Sequence, residues 1–300
     1  MKVMRAACVL ALAVAAAVIP AAPAPAAAAP THWLVKGQDL QPWDNAGDQS
    51  AGLAAQAADD GVALPPVTYQ LCGVWNGTTY GQSDDTTCAP GNSVLVVENY
   101  YELAQAVSDG LFTGLGIHTA LYDLESWPLT PAAAQSPRIQ SADPVYWIGQ
   151  ATALARANGI ALIVSTGGAL ASRPDCWMAA ARDGAYMVAI QSQAWGSVNG
   201  AWQLASWESR VHAAVNVVRS ARHAAGTRTL AMVGLGTNTP LVHPVWLLVR
   251  EYSYAKSVAV SNFWLNADNW GGQNQCNASQ GGFGCPQIGV QFLKRIGAAA

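Results

Sequence analysis

The chain is expected to fold as a single α/β domain, a (β/α)8 barrel of the TIM type, and three features lead there. From residue 93 onward, short β-rich runs alternate with helical runs. Strict alternation of this kind implies parallel strands covered by helices. Of the 300 residues, those after a leader of 29 suffice for one such barrel, since barrels reach about 250 residues as single domains. Acids, amides and tryptophans also recur just behind the strand runs, where barrels of this type carry their chemistry.

The leader comes first. Lys2 and Arg5 open it, residues 6–19 are apolar, and a small-residue stretch follows with an Ala-x-Ala cleavage site expected after Ala29. That pattern reads as a secretory signal peptide, residues 1–29, ahead of a barrel domain at 30–300. No later segment supplies the ~18–20 uninterrupted apolar residues of a membrane span. The expectation is an exported protein with no membrane association once the leader is removed.

Two provisional strands, 33–36 and 69–75, begin the domain, separated by a polar, Ala- and Gly-rich stretch at 37–66 with no legible element. Strands are then expected at 94–98, 119–125, 161–166, 186–193, 230–237 and 258–266, which completes eight. Helices fall between them at 100–109, 144–158, 174–182, 202–225, 244–256 and 286–296. Gly110, Gly159, Gly184 and Gly226 stand where helices should stop. Pro144, Pro244 and Pro286 stand where they should start. The alternative architecture is an open doubly wound sheet. It would need a phosphate-binding glycine fingerprint, and Gly234-Leu-Gly236 lacks the third glycine.

Composition removes several classes. A net charge of -3 offers no basic surface for nucleic acid. The five histidines are scattered and no His-Glu-x-x-His is present, so no metal site is expected. No Gly-x-Ser-x-Gly elbow occurs either. Neither cofactor nor partner chain is implied, and a monomer is expected. Six cysteines are present, one of them (Cys8) in the leader. In an oxidising compartment the locally close pairs Cys72–Cys88 and Cys276–Cys285 are the natural disulfides, which leaves Cys176 as a buried thiol. His212 and His223 share one long helix with Arg210, Arg219 and Arg222 and read as its solvated face.

The segment 117–127, IHTALYDLESW, is the most informative. An apolar strand runs into Asp123 and Glu125, and residues two apart in a strand share a face at roughly 6–7 Å. Charged residues make up only 11% of the chain, so a paired acid at the end of a buried strand is a candidate catalytic doublet. Glu98, ending the preceding strand, is a third candidate acid. Gln191, Gln193, Asn238 and Asn266 supply amides that hold hydroxyls, while Trp127 and Trp264 offer apolar faces for a sugar ring. A structural alternative stands beside this: Asp123 and Glu125 would pin the next loop through backbone N–H groups, and Glu98 would cap the helix at 100.

The Asp123-Leu124-Glu125 tail resembles the strand-four signature of chitinase-like glycoside hydrolases of family 18, whose pattern closes with Asp-x-Glu. Phe263-Trp264 on the last strand resembles that family's floor tryptophan, and Gln191 its polar contact on the sixth strand. The pattern's two earlier aspartates are replaced here by His118 and Leu121. The resemblance implies a secreted glycoside hydrolase acting on polysaccharide, with Glu125 as general acid and Asp123 orienting the reacting N-acetyl group. A lectin-like barrel that binds carbohydrate without cleaving it is the alternative.

Overall fold

The computed structural model describes residues 31–36, 53–65, 68–72, 93–124, 140, 142–237, 243–267 and 285–297. Eight parallel strands close into a barrel: β1 Trp33–Lys36, β2 Thr68–Cys72, β3 Ser93–Val97, β4 Thr119–Leu124, β5 Ala161–Thr166, β6 Met187–Ile190, β7 Leu230–Gly236 and β8 Asn262–Asn266. Each pairs with its sequence neighbours, and β8 returns to β1 with Trp33 beside Phe263 and Leu34 beside Trp264. The (β/α)8 architecture is therefore present, and both provisional strands belong to it.

The strands are continuous apolar runs because both faces are buried. Leu34, Val94, Leu121, Ile163, Met187 and Met232 point into the barrel and fill it with Trp264. The alternate positions pack outward against the helices in a second, larger cluster. A barrel of this size is a packed core at its centre, so ligand space is left only at the ends.

The helices are α1 Leu53–Asp59, α2 Tyr100–Ser108, α3 Leu111–Leu115, α4 Pro144–Ala157, α5 Pro174–Asp183, α6 Leu204–Ala225, α7 Val245–Ser257 and α8 Cys285–Ile296. Asp143 caps α4, its side chain accepting from the Tyr146 N–H at 3.4 Å with proline in the first turn. Gly184 and Gly226 end α5 and α6 at φ values of 86° and 66°, a left-handed turn that a side chain resists. Trp207 anchors α6, fully buried, its indole N–H donating to the Ser192 carbonyl at 3.0 Å.

Several boundaries differ from the expected ones. The strand expected at 258–266 begins only at Asn262, because Val258 caps α7 and the Val260 N–H donates to the Ala255 carbonyl at 3.0 Å. The strand expected at 186–193 ends at Ile190. An antiparallel hairpin, Ser197–Val198 with Ala201–Trp202, occupies what reads in the sequence as loop and helix start. Helix α1 lies in the stretch that showed no legible element. Among the described residues no helix is long and apolar enough to cross a membrane. Cys176 is a buried free thiol, and burial pushes it up to about 11. Cys72 is buried and disulfide-bonded. The pairings expected with Cys88 and between Cys276 and Cys285 lie outside the described residues.

Candidate active site at the barrel mouth

Side chains alternate along each strand, so the inward positions at the carboxyl ends follow from the register. Leu121 on β4 faces inward, which turns Asp123 inward too. Ser165 of β5 pairs with Asp123 in register. Gln191 follows β6 and reaches both: its Nε2 donates to Asp123 Oδ1 at 3.0 Å and to Ser165 Oγ at 2.8 Å. Three adjacent strands thus meet in one polar knot at the mouth. Asp123 is 7% exposed and Ser165 fully buried. Glu98, also 7% exposed, lies one step beyond the Val97–Tyr122 register pair and so at the level of Asp123.

The opposite wall is built from absent side chains. Gly234 and Gly236 take inward positions on β7, beside Trp264 and Asn266 of β8. Gln193 lies over Gly234, and Ser192 fixes the turn by donating its hydroxyl to the Gly234 carbonyl at 2.7 Å. Trp264 is buried in the interior cluster as a floor. Its Nε1, and Oδ1 of half-buried Asn266, have no hydrogen-bond partner among the described residues. Such buried polar atoms carry a desolvation cost unless something bonds them, which makes them natural ligand contacts.

Glu98 does not cap α2 through its side chain, contrary to the structural alternative. Asn99 does: its Oδ1 accepts from the Glu102 N–H at 3.0 Å. Glu102 closes the box, accepting from Asn99 Nδ2 and from the Glu98 N–H, each at 2.7 Å. Burial, aided by the nearby Glu98 charge, pushes the Glu102 carboxyl up to about 7. This buried acid was missed, although Asn-x-x-Glu before an apolar run is a readable cap signature. Behind it, Gln140 Oε1 accepts from Tyr122 Oη at 2.6 Å and from the Tyr100 N–H at 2.8 Å.

A further buried group lies beside the β7 end. His243 packs against Trp202 in a tilted arrangement, 4.1 Å between ring centroids, and burial holds its imidazole down at about 4. Burial also pushes the Glu251 carboxyl of α7 up to about 8; Trp202 offsets this only in part, its indole N–H making no well-formed hydrogen bond. No group of three or more His, Cys, Asp or Glu is placed to hold a metal among the described residues. Glu125, Trp127 and Asn238 lie outside them. The structure therefore joins Asp123 to Gln191, places Gln193, Trp264 and Asn266 around the same opening, and sets Glu98 at its rim.

No family model matches the chain, and no curated protein matches it. Solved structures similar to it include a phosphonomutase, described as putative, from Burkholderia cenocepacia J2315, at 14% identity over 57% of this chain and 67% of that one, TM-score 0.39. An HMG-CoA lyase from Acenitobacter baumannii, in complex with coenzyme A and 3-methylmalate, is similar at 11% identity over 90% of this chain and 85% of that one, TM-score 0.48. A lactate oxidase, described as putative, from Pediococcus acidilactici is similar at 11% identity over 77% and 61%, TM-score 0.39. These likenesses concern the fold alone. The family 18 resemblance is corrected: these neighbours are a mutase, a lyase and an oxidase rather than chitinase-like enzymes. With it go the expected polysaccharide hydrolase, with Glu125 as its acid, and the lectin-like alternative.

Proposed function

We propose that the carboxyl-terminal mouth of the barrel is an acid–base catalytic site for a small polar molecule, with Asp123 as the proton-transferring carboxylate. The observation that carries this reading is the Asp123–Gln191–Ser165 knot. A carboxylate held by an amide from a neighbouring strand keeps one orientation, as a general base requires. The end of the barrel at which it sits is where enzymes of this fold do their chemistry. Glu98 is the second acid of the site, able to return a proton from the β3 side. Gln193 and Asn266 hold polar groups of the ligand, above the Trp264 floor. The described wall presents two acids and several amides, so the ligand class that fits is uncharged or cationic, bearing hydroxyl, carbonyl or amino groups.

The same reading includes export. The leader at 1–29 supports it, as does the bonded state of Cys72, since disulfides persist in oxidising compartments. Cys88 is the partner proposed for Cys72, and Cys276 that for Cys285.

The test is a thermal-shift and turnover screen of small uncharged and cationic metabolites against the wild type, Asp123→Asn and Gln191→Ala. Ligands that stabilise the wild type should bind Asp123→Asn but not be turned over by it. Gln191→Ala should lower kcat more than it raises KM, because it frees the carboxylate to rotate. Ligands indifferent to both substitutions, or a library without a single hit, would overturn the assignment.

A further inference from the structure

At the opposite end of the barrel, where β5, β6 and β7 begin, the surface opens into a cleft of about 230 Å3. Arg156 at the end of α4 and Arg228 just before β7 both line it, over a wall formed by Thr152, Tyr186 and Thr229. The wall's own polar groups are engaged. Thr152 Oγ1 donates to the Ile148 carbonyl at 2.8 Å and Thr229 Oγ1 to the Ala185 carbonyl at 2.7 Å. Tyr186 Oη meets His32 Nε2 at 3.2 Å. Asp183, next in sequence to the lining residue Gly184, is engaged as well: Arg182 holds both its oxygens, at 2.7 and 3.0 Å.

The guanidinium groups are different. Arg156 uses one nitrogen, Nη1, on the Asp183 carbonyl at 3.3 Å. Arg228 makes no hydrogen bond or ion pair among the described residues. Each guanidinium carries five N–H donors in a planar fork suited to carboxylate or phosphate oxygens. Two like charges on one concave surface repel, and a bound anion turns that repulsion into two charge-assisted contacts.

We propose that this cleft is a binding site for a small oxyanion, gripped between Arg156 and Arg228. It is separate from the proposed catalytic mouth and does not depend on it. Isothermal titration with inorganic phosphate and, in a second arm, succinate tests it, with ionic strength fixed by sodium chloride. Binding is expected in at least one arm, and the arm that binds more tightly tells phosphate from carboxylate recognition. Arg156→Ala and Arg228→Ala should each weaken it by about tenfold or more. Arg228→Lys should recover only part of the loss, since it restores the charge without the fork. Both side chains are exposed, so folding is expected to survive, and circular dichroism checks this. No heat in either arm at tens of millimolar, or undiminished affinity in the Arg156→Ala/Arg228→Ala double variant, would overturn the proposal.

Discussion

Gln193 occupies the space that a side chain at Gly234 would need: a Cβ there would stand 2.6 Å from the Gln193 amide carbon. Gly234→Ala must therefore push the amide out of a buried position. The expected cost is about 1–3 kcal/mol, read as a lowered Tm. Gln193→Ala in the same chain should recover part of it, because the two changes act on one contact. Simple additivity of the two losses would show that they do not meet.

Stability should fall as the solution is made more alkaline, from about pH 4.5 to about pH 8. Glu251 rises from 4.5 to about 8 on folding and Glu102 from 4.5 to about 7. Over those windows the folded chain keeps protons that the unfolded chain has released, so each carboxyl removes about 1.4 kcal/mol per pH unit. His243 opposes them, but only between about 4 and 6.5, where the unfolded chain is the more protonated. Two carboxyls outweigh one imidazole below pH 6.5, and above it nothing opposes the carboxyls. Urea unfolding across the range checks the slope. Glu251→Gln should flatten it between about pH 7 and pH 8, where Glu251 alone of the three still titrates.

Tyr122→Phe should destabilise by about 1 kcal/mol without changing the fold, since the buried Gln140 oxygen keeps only its Tyr100 N–H donor. Gln140→Ala should cost roughly 2–3 kcal/mol, because it strands the buried Tyr122 hydroxyl and the part-buried Tyr100 N–H at once. Chemical denaturation of both variants ranks them, and equal losses would mean that the amide is not the shared anchor.

Asn99→Ala opens the box at the start of α2. About 1–2 kcal/mol should be lost, within the range for side-chain caps. Amide exchange in the first turn of α2 should quicken more than in α4, whose Asp143 cap is untouched.

Much of the barrel was readable because parallel strands buried on both faces and their helices leave unmistakable apolar runs. The polar positions at the strand ends followed from period two, which is why Asp123, Gln191, Gln193, Trp264 and Asn266 all belong to one opening. What escaped has identifiable causes. Ala259 turns the chain out of α7 at a φ of 59°, work usually left to glycine, so the β-branched Val258 and Val260 read as strand. The hairpin was announced by Asn199-Gly200, both at positive φ, a recognisable tight-turn pair whose flanking strands are only two residues each. Trp202 lies far ahead of His243 and Glu251 in sequence and meets them only through tertiary packing, so no spacing rule marks the group.

The junction between the first and last strands has a consequence for how the chain acquires its shape. His32 Nδ1 meets Asn262 Oδ1 at 2.8 Å across 230 residues of separation, and Trp33 lies 5.1 Å from Phe263 by ring centroids. Contacts of such high order form late. A polypeptide shortened to end before Asn262 would carry two raw edges, β1 and β7, with open backbone donors and acceptors that invite self-association. Shortened chains should accumulate as aggregates, whereas joining the two ends and cutting elsewhere should be tolerated as long as this seam is retained.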